Sequence, residues 1–312
     1  MNLMKVLIVA NGKYQNELPS HVVEQMEALE HEGVQLETFG IDKSGFFGYF
    51  LESFRLRRKI RECHPDIIHA HYGLSGLCAN LQRRVPVVTT YHGSDIHSGG
   101  WVLQLSKITM RLSVYNIFVG NKLLNMSGYK GRNAMVLPCG IDLTVVKSIP
   151  REEAMKQTPF KKPFVLFAGS YDRPVKNAKL AKEAIERVPN VDLVELDDYN
   201  RDEVTNLMNA TSCLLMTSFN EGSPMVIKEA MACGTPIVTV DVGDVRNVIG
   251  NTQGCYFADY DADDIAAKVK KAMDFNGKTA GRSRIEELGL SNEYIARKLK
   301  QLYCNLISSP IR

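Results

Sequence analysis

Residues 219–234 of this chain read FNEGSPMVIKEAMACG. The stretch follows an apolar run at 213–218, which is typical of a buried strand. Ser223 is a favourable helix N-cap, Pro224 fits the first helical position, and Gly234 suits the left-handed residue that ends a helix. The pattern therefore predicts a strand, a loop and a helix in succession, with the start of the helix at the C-terminal edge of a sheet.

The same stretch carries the residue types that a phosphorylated sugar needs. The start of a helix has free N–H groups and a partial positive charge, so it attracts phosphate. Glu221 in the loop and Glu229 in the helix, eight positions apart, can only accept hydrogen bonds when ionised, as sugar hydroxyls require. The arrangement fits a nucleotide-sugar.

Apolar, β-branched runs alternate with amphipathic segments along the rest of the chain. Strands are predicted at 5–10, 35–41, 66–71, 86–91, 116–120, 134–138, 164–169, 192–196, 212–217, 236–241 and 255–258. Helices are predicted at 19–32, 50–63, 177–188, 201–210, 262–274 and 292–307. This alternation predicts an α/β protein with parallel sheets that are covered on both faces.

A polar, proline-containing stretch at 144–163 interrupts the alternation, and we interpret it as a linker. It predicts an N-terminal domain at 1–150 and a C-terminal domain at 151–291, each with a doubly wound sheet. Two such domains are expected to face one another across a cleft at the carboxyl ends of their strands.

Composition limits the function classes. Of 312 residues, 45% are hydrophobic and 23% charged, as in a soluble globular protein, and a net charge of +3 is too small to indicate nucleic acid. Seven scattered cysteines predict reduced thiols and a cytoplasmic location. The apolar run at 5–10 is too short for a signal peptide, and no run reaches membrane-spanning length, so we expect a soluble or at most peripheral protein.

A second loop offers positive charge. After the predicted strand at 164–169, Gly169 and Ser170 lead into a turn that contains Arg173 and Lys176. Arginine is a two-pronged donor and lysine a point charge, so together they could clamp a diphosphate.

The stretch from Glu221 to Gly234 resembles the signature of the retaining GT-B glycosyltransferases of family four, the glycosyl transferases group 1. The resemblance covers most of the chain and implies the GT-B fold, with a C-terminal helix at about 292–312 that packs back onto the first domain. It implies that Glu221 contacts the donor sugar and Glu229 the ribose hydroxyls, with Gly222 and Ser223 beside them.

Three further residues are compared with the family pattern. Lys176 matches the family lysine of the donor site. Ser170 stands directly after Gly169, where the family has arginine, and Arg173 is offset from that position.

In the N-terminal half, the run His92-Gly93-Ser94-Asp95 is similar to a family motif whose histidine contacts the donor sugar near the reacting bond. Many relatives have a Gly-Gly pair after the first strand that approaches the phosphates, whereas here only Gly12 is present. We therefore expect the loop 11–21 to shape the acceptor pocket as well.

The resemblance implies metal-independent, retaining transfer of a sugar from a UDP- or GDP-sugar to a glycan or lipid-linked glycan, in cell-surface polysaccharide or glycolipid biosynthesis. No cofactor is expected, and a donor phosphate oxygen takes the proton of the acceptor. Two alternatives remain: a nucleotide-sugar epimerase on the same fold, and a non-catalytic nucleotide-sugar binding subunit.

Two patterns suggest metal binding. His69 and His71 share one face of a strand, near His92 and His97, but no acidic or cysteine ligand completes a zinc set with recognisable spacing. Asp259-Tyr260-Asp261 resembles a metal–diphosphate motif, yet it stands at a strand-to-helix junction where aspartate suits turns and N-caps. We predict a structural role for both.

Residues 46–61 are aromatic first and basic afterwards. The favoured interpretation is a helix that buries Phe50, Leu51, Phe54 and Ile60 while its arginines are solvated. The alternative is a basic amphipathic helix that rests on anionic lipid at the inner face of the membrane. The aromatic residues 46–50 remain candidates for acceptor or membrane contact under either interpretation.

Overall fold

The computed structural model describes residues 4–12, 18–43 and 45–308, without the side chains of 45–47. The chain forms two compact units. Unit 1 comprises residues 1–140 and 292–312, and unit 2 comprises residues 141–291.

Unit 1 is built on a six-stranded parallel sheet of strand order β2-β1-β3-β4-β5-β6. Its strands are β1 (Lys5–Asn11), β2 (Gln35–Ile41), β3 (Ile67–His71), β4 (Val87–Tyr91), β5 (Tyr115–Phe118) and β6 (Ala134–Val136). Its helices are α1 (Ser20–His31), α2 (Gly45–Cys63), α3 (Gly73–Asn80), α4 (Ser94–His97), α5 (Gly100–Leu112), α6 (Asn121–Ser127) and, from the C-terminal end of the chain, α14 (Asn292–Ser308).

Unit 2 is built on a five-stranded parallel sheet of strand order β11-β10-β9-β7-β8. Its strands are β7 (Phe164–Phe167), β8 (Asp192–Glu195), β9 (Cys213–Met216), β10 (Ile237–Thr239) and β11 (Cys255–Phe257). Its helices are α7 (Arg151–Lys156), α8 (Ala178–Ile185), α9 (Arg201–Ala210), α10 (Met225–Cys233), α11 (Val245–Ile249), α12 (Ala262–Met273) and α13 (Gly281–Glu287). All eleven predicted strands are present, and the predicted α/β class with parallel sheets is confirmed.

Both faces of each sheet are covered, which explains why the strands are apolar without interruption. In β1, Val6 and Ile8 pack into the cluster that contains Leu299 of α14, whereas Leu7 and Val9 pack into the cluster that contains Leu56 of α2. Successive side chains of a strand point to opposite faces, so a strand between two helical layers must be apolar at every position.

The division between the units lies at Gly140–Ile141, not in the predicted linker at 144–163. That stretch belongs to unit 2, because Val146 and Ala154 are buried in its core. The guanidinium of Arg151 donates to the carbonyl of Ala210 and to Ser212 Oγ. Most polar residues of this stretch face outward and outnumber its few buried apolar residues, so the sequence resembled a linker.

Helix α2 does not bury the face that the favoured interpretation assigned to it. Phe50, Leu51 and Phe54 are each about half exposed, at 49%, 52% and 52%, whereas Ile60 is buried as expected. The buried stripe consists of Leu56, Ile60 and Cys63 against the sheet, so Phe50 and Phe54 point away from it. The side chains of Phe46 and Phe47 lie outside the described residues.

In the part of the chain that the structure describes, no helix combines the length and the apolar character needed to cross a membrane.

Candidate functional site

The centre of the candidate site in unit 2 is an ion pair between two of the predicted residues. Lys176 ends a short 3-10 turn, Pro174–Lys176, that follows β7, and Glu221 lies in the loop that follows β9. Lys176 Nζ lies 2.8 Å from Glu221 Oε1, and the two side chains are only 11% and 17% exposed. The structure thus brings together an ammonium and a carboxylate that are 45 residues apart in the chain.

The two loops are joined by hydrogen bonds to the backbone carbonyls of the lysine turn. Thr217 Oγ1, directly after β9, contacts the carbonyl oxygens of Lys176 and Asn177 at 2.9 and 3.0 Å, and Phe219 N donates to the carbonyl of Val175. Because β7 and β9 are neighbours in the sheet, these bonds hold the lysine turn beside the glutamate loop. Sequence analysis missed Thr217, although a polar residue at the end of a buried strand was a signal.

Gly169 gives the lysine stem its space. It has a φ of +141°, and a Cβ at this position would lie 3.0 Å from Lys176 Cε. Any side chain would therefore be both strained and in contact with the lysine. Ser170 beside it is buried and accepts a hydrogen bond from Asp172 N, whereas Arg173 is exposed on the loop.

Ser223 is not the N-cap of α10, contrary to prediction. Pro224 occupies that position, and no side chain caps the helix. Ser223 Oγ instead donates to Asp244 Oδ2 at 2.5 Å and accepts from Lys228 Nζ at 2.8 Å. Charged partners form stronger hydrogen bonds than a backbone N–H, which explains why the hydroxyl turns away from the helix. Gly234 does end α10 in the left-handed conformation, as predicted.

Lys228, Ser223 and Asp244 form a buried polar network that sequence analysis missed. Lys228 is 0% exposed and Asp244 is 7% exposed. Burial raises the pKa of Asp244, and the Lys228 charge and the Ser223 hydrogen bond act in the opposite direction. A lysine inside a helix normally suggests a solvated face, so its role is visible only when Asp244 is placed beside it.

A third loop, which follows β10, closes on the glutamate loop. Gly243 has a φ of +58°, and a Cβ there would lie 2.6 Å from the carbonyl oxygen of Gly222. The backbones of these two loops are therefore in direct contact, and Asp244 follows at once. Strands β7, β9 and β10 are adjacent, so their loops surround Glu221 at one edge of the sheet. Glu229, the residue predicted to contact ribose, is partly buried on the second turn of α10.

In unit 1, His92, the residue predicted to contact the donor sugar, belongs to a cluster of aromatic rings. It follows β4, and its Nε2 lies 2.9 Å from Nδ1 of His71, the last residue of β3. The rings of His21 and Tyr72 each lie 4.7 Å from the ring of His92. Cys139 Sγ lies 3.7 Å from His92 Nδ1.

Burial keeps the strand histidines neutral. His69 is hydrogen-bonded to the hydroxyls of Tyr303 and Thr90, and desolvation lowers its pKa to about 3. Desolvation also lowers the pKa of His71, with a further contribution from the neighbouring histidines. Among the described residues, no three His, Cys, Asp or Glu side chains are grouped so that they could hold a metal ion.

Asp95 fixes the turn that carries His92. Its carboxylate accepts hydrogen bonds from the backbone N–H groups of Gly93, Gly73 and His92, at 2.9, 3.2 and 3.3 Å. Burial raises the pKa of Asp95 to about 6, against the effect of these bonds. Gly12, the remaining predicted phosphate contact, directly follows β1 and donates its N–H to the carbonyl of Ile41. The loop residues 13–17 lie outside the described residues.

The Asp259-x-Asp261 pattern has the structural role that was predicted. Asp261 is the N-cap of α12, and its Oδ1 accepts hydrogen bonds from the backbone N–H groups of Asp263 and Asp264 at 3.0 and 2.9 Å.

Comparison with known proteins finds two matching families and several related sequences. The family Glycosyltransferase Family 4 matches residues 14–145, and the family Glycosyl transferases group 1 matches residues 196–285. The putative teichuronic acid biosynthesis glycosyltransferase TuaC of Bacillus subtilis is 25% identical over 225 residues, which cover 62% of this chain and 58% of TuaC. The chain spans less than two thirds of the length of the curated relatives it matches.

Two solved structures share the fold over nearly the full length. A sucrose-phosphate synthase from Thermosynechococcus elongatus superposes with a TM-score of 0.82 at 17% identity, covering 98% of this chain and 99% of that one. Anabaena HepE in complex with UDP and glucose superposes with a TM-score of 0.75 at 16% identity, covering 97% and 100%. The chain has the GT-B fold, and the two glycosyltransferase families, Family 4 and group 1, together match more than two thirds of its length.

Proposed function

We propose that this protein is a retaining glycosyltransferase that moves a sugar from a nucleoside diphosphate sugar to an acceptor hydroxyl. The observation that carries the proposal is the Lys176–Glu221 pair, held by three loops at the end of the unit 2 sheet beside the start of α10. It supplies a positive charge for a leaving diphosphate and an acceptor for a sugar hydroxyl in one place.

Each residue of the donor site has a role in this proposal. Lys176 and the start of α10 stabilise the charge that develops on the diphosphate as the sugar leaves. Glu221 accepts a hydrogen bond from a hydroxyl of the donor sugar, and Glu229 from the ribose. The acceptor loses its proton to an oxygen of the departing phosphate, so no protein nucleophile is required.

His92 contacts the donor sugar in the family, and we propose the same role here. The stacked imidazoles of His69 and His71 pack beneath His92 and hold its ring in place. Both are neutral, because burial lowers the pKa of each. Gly12, directly after β1, is proposed to approach the phosphates through its backbone.

The donor is proposed to be a UDP- or GDP-sugar and the acceptor a glycan or a lipid-linked glycan. UDP is the first probe to use, since HepE was solved with UDP and glucose. The name of TuaC points to teichuronic acid biosynthesis, which supports cell-surface polysaccharide synthesis as the process. Reaction on the cytoplasmic side of the membrane would suit such an acceptor.

A lysine substitution tests the proposal. A panel of UDP- and GDP-sugars is first screened by thermal shift, and release of UDP or GDP is then measured for the donor that binds. Lys176→Met is expected to reduce turnover about 100–1000-fold, the usual effect of removing one preorganised donor to a developing negative charge. Lys179→Met is the matched control, because that side chain is 89% exposed and its ion pair with Glu183 is long, at 3.8 Å.

The outcomes distinguish the alternatives. Near-normal turnover in Lys176→Met would remove this residue from the mechanism, and the absence of binding to any nucleotide-sugar would contradict the proposed function. An epimerase would convert the donor to a second nucleotide-sugar without an acceptor. A non-catalytic subunit would bind the donor but neither transfer nor hydrolyse it.

Metal independence is a separate part of the proposal. With the protein and donor in buffer that contains excess EDTA, turnover is expected to remain within a factor of about two, since Lys176 and the start of α10 supply the positive charge that a divalent ion supplies elsewhere. Strict dependence on added Mg²⁺ or Mn²⁺ would contradict this part alone.

A further inference from the structure

A cluster of large apolar side chains is exposed on unit 1. Phe50 and Phe54 of α2 pack edge to face at 5.3 Å and leave about half of each ring in contact with water. Trp101 and Ile108 of α5 are 58% and 42% exposed. Exposed large apolar side chains cost free energy in water, and a contiguous patch of them typically marks a binding surface.

The patch borders an apolar groove between α2, α3 and α5. The groove has a volume of about 450 Å³ and is lined by Tyr49, Phe50, Leu74, Leu77, Cys78, Leu81, Trp101, Leu105 and Ile108. Its Tyr49 hydroxyl and Cys78 thiol are not available as charges. Tyr49 OH donates to Asn11 Oδ1 at 2.6 Å, and burial raises the pKa of the Cys78 thiol to about 12. The groove suits a hydrocarbon ligand.

Positive charge continues the same face of α2. Arg57 and Arg61 follow Phe50 by seven and eleven positions, which places them on the same side of the helix. With Arg84 they line a second cavity of about 420 Å³. Arg57 donates to the carbonyl of Leu81, a residue of the apolar groove, so the two cavities adjoin.

The acidic residues of α2 leave this charge in place. Glu52 is buried and paired with Arg55, which also contacts Asp42, and Glu62 pairs with Arg58 at 2.8 Å. Among the described residues, no carboxylate forms an ion pair with Arg57, Arg61 or Arg84.

We propose that this face docks on an anionic phospholipid bilayer. Phe50, Phe54 and Trp101 enter the interface and the groove takes an acyl segment, while Arg57, Arg61 and Arg84 contact lipid phosphates. The combination of apolar side chains and adjacent cations is what an interfacial helix requires, and each cation near an anionic surface strengthens binding about fivefold. A symmetric dimer through the same face would bring the three arginines of each copy toward those of the other, so like charges oppose that occupant.

The test uses the full chain and vesicles of phosphatidylcholine with or without about 30% phosphatidylglycerol. Trp101 is the only tryptophan in the sequence, so its fluorescence reports on this face alone. Binding to the anionic vesicles is expected, with a blue shift of the Trp101 emission and quenching by brominated acyl chains, and with release at high salt. Pure phosphatidylcholine vesicles are expected to bind much more weakly.

Two surface variants separate the contributions. Arg57→Gln with Arg61→Gln is expected to weaken sedimentation with anionic vesicles by about 25-fold, from two cations at about fivefold each. Phe50→Ser with Phe54→Ser is expected to weaken it at least tenfold. Lys270→Gln with Lys271→Gln is the matched control, since both lysines are exposed on α12 of unit 2, and it should bind as the original protein does.

The proposal is overturned if the variant pairs bind as well as the control, or if the emission of Trp101 is unchanged by vesicles. It is also overturned if light scattering without lipid shows a dimer that the Phe50 and Phe54 changes dissociate, because the occupant is then a second copy. Release by millimolar inorganic phosphate, together with normal binding of the Phe50 and Phe54 variant, would identify a phosphate site instead. The replaced side chains are exposed, and matching thermal melts verify that each variant folds.

Discussion

Replacement of Lys228 by methionine tests whether the buried network holds unit 2 together. Lys228 is 0% exposed, and its ammonium donates to Ser223, which in turn donates to the buried Asp244. Methionine fills much the same volume but leaves the carboxylate without its cation. Lys228 and Asp244 are linked through the Ser223 hydroxyl. By the measure of a buried ion pair that loses one partner, removing the cation costs about 3–5 kcal/mol, because the remaining charge is uncompensated.

The pKa of Asp244 indicates how the loss can be reversed. Burial already raises this pKa, and the Lys228 charge opposes the rise. Without Lys228 the pKa of Asp244 moves further up, so a neutral side chain there should be tolerated better. The double variant Lys228→Met, Asp244→Asn is expected to recover about half of the lost stability, with a coupling of about 2 kcal/mol in a double-mutant cycle.

Thermal unfolding followed by far-UV circular dichroism measures the effect. For a unit of this size, 3–5 kcal/mol corresponds to a fall in Tm of about 10 °C. Lys268→Met is the control, since its pair with Asp264 is 3.7 Å long and partly exposed, and such pairs contribute less than about 1 kcal/mol. The reasoning is refuted if Lys228→Met has the same Tm as the Lys268→Met control. It is also refuted if the double variant is no more stable than Lys228→Met alone.

Two further predictions concern pH and backbone contact. The pKa of His69 is about 3 in the folded state against 6.5 as the reference, so the unfolded chain binds more protons and stability is lost as pH falls below 6.5, by about 3 kcal/mol at pH 4. His69→Phe should flatten the dependence of Tm on pH relative to the original protein. Asp95, whose pKa is about 6 in the folded state against 3.8 as the reference, acts in the opposite direction, but it does so equally in both proteins. An unchanged slope of Tm against pH would contradict the prediction. Gly243→Ala adds a Cβ 2.6 Å from Gly222 O and should raise the donor KM by displacing the glutamate loop. Gly277→Ala is the control, because Gly277 also has a positive φ but has open space around it. Equal kinetics in the two variants would show that the contact between Gly243 and Gly222 does not position the glutamate loop.

Local patterns predicted the strands well, for a physical reason that the structure makes clear. Strands such as β1 and β9 are buried on both faces, so every position is apolar and the run is visible in the sequence. The end of α10 at Gly234 was likewise predictable, because the left-handed conformation strongly favours glycine.

The errors have a common origin in partners that are distant in sequence. Ser223 has the chemistry of an N-cap, but Lys228 and Asp244 compete for its hydroxyl and bind it more strongly. Phe50 and Phe54 have the character of core residues, yet the sheet is covered by Leu56 and Ile60 of the same helix. Neither outcome can be derived from local spacing.

By itself, the amino-acid sequence determined the alternation of strands and helices, the α/β class, and the loops that carry Lys176, Glu221 and His92, because periodicity, glycine placement and strand ends act over a few residues. Only the tertiary structure decided that Lys176 meets Glu221, that Thr217 and Gly243 hold their loops, and that the aromatic face of α2 is exposed. Those contacts depend on which strands are neighbours in the sheet and on which of two apolar faces is covered, and both are settled by the packing of the whole chain.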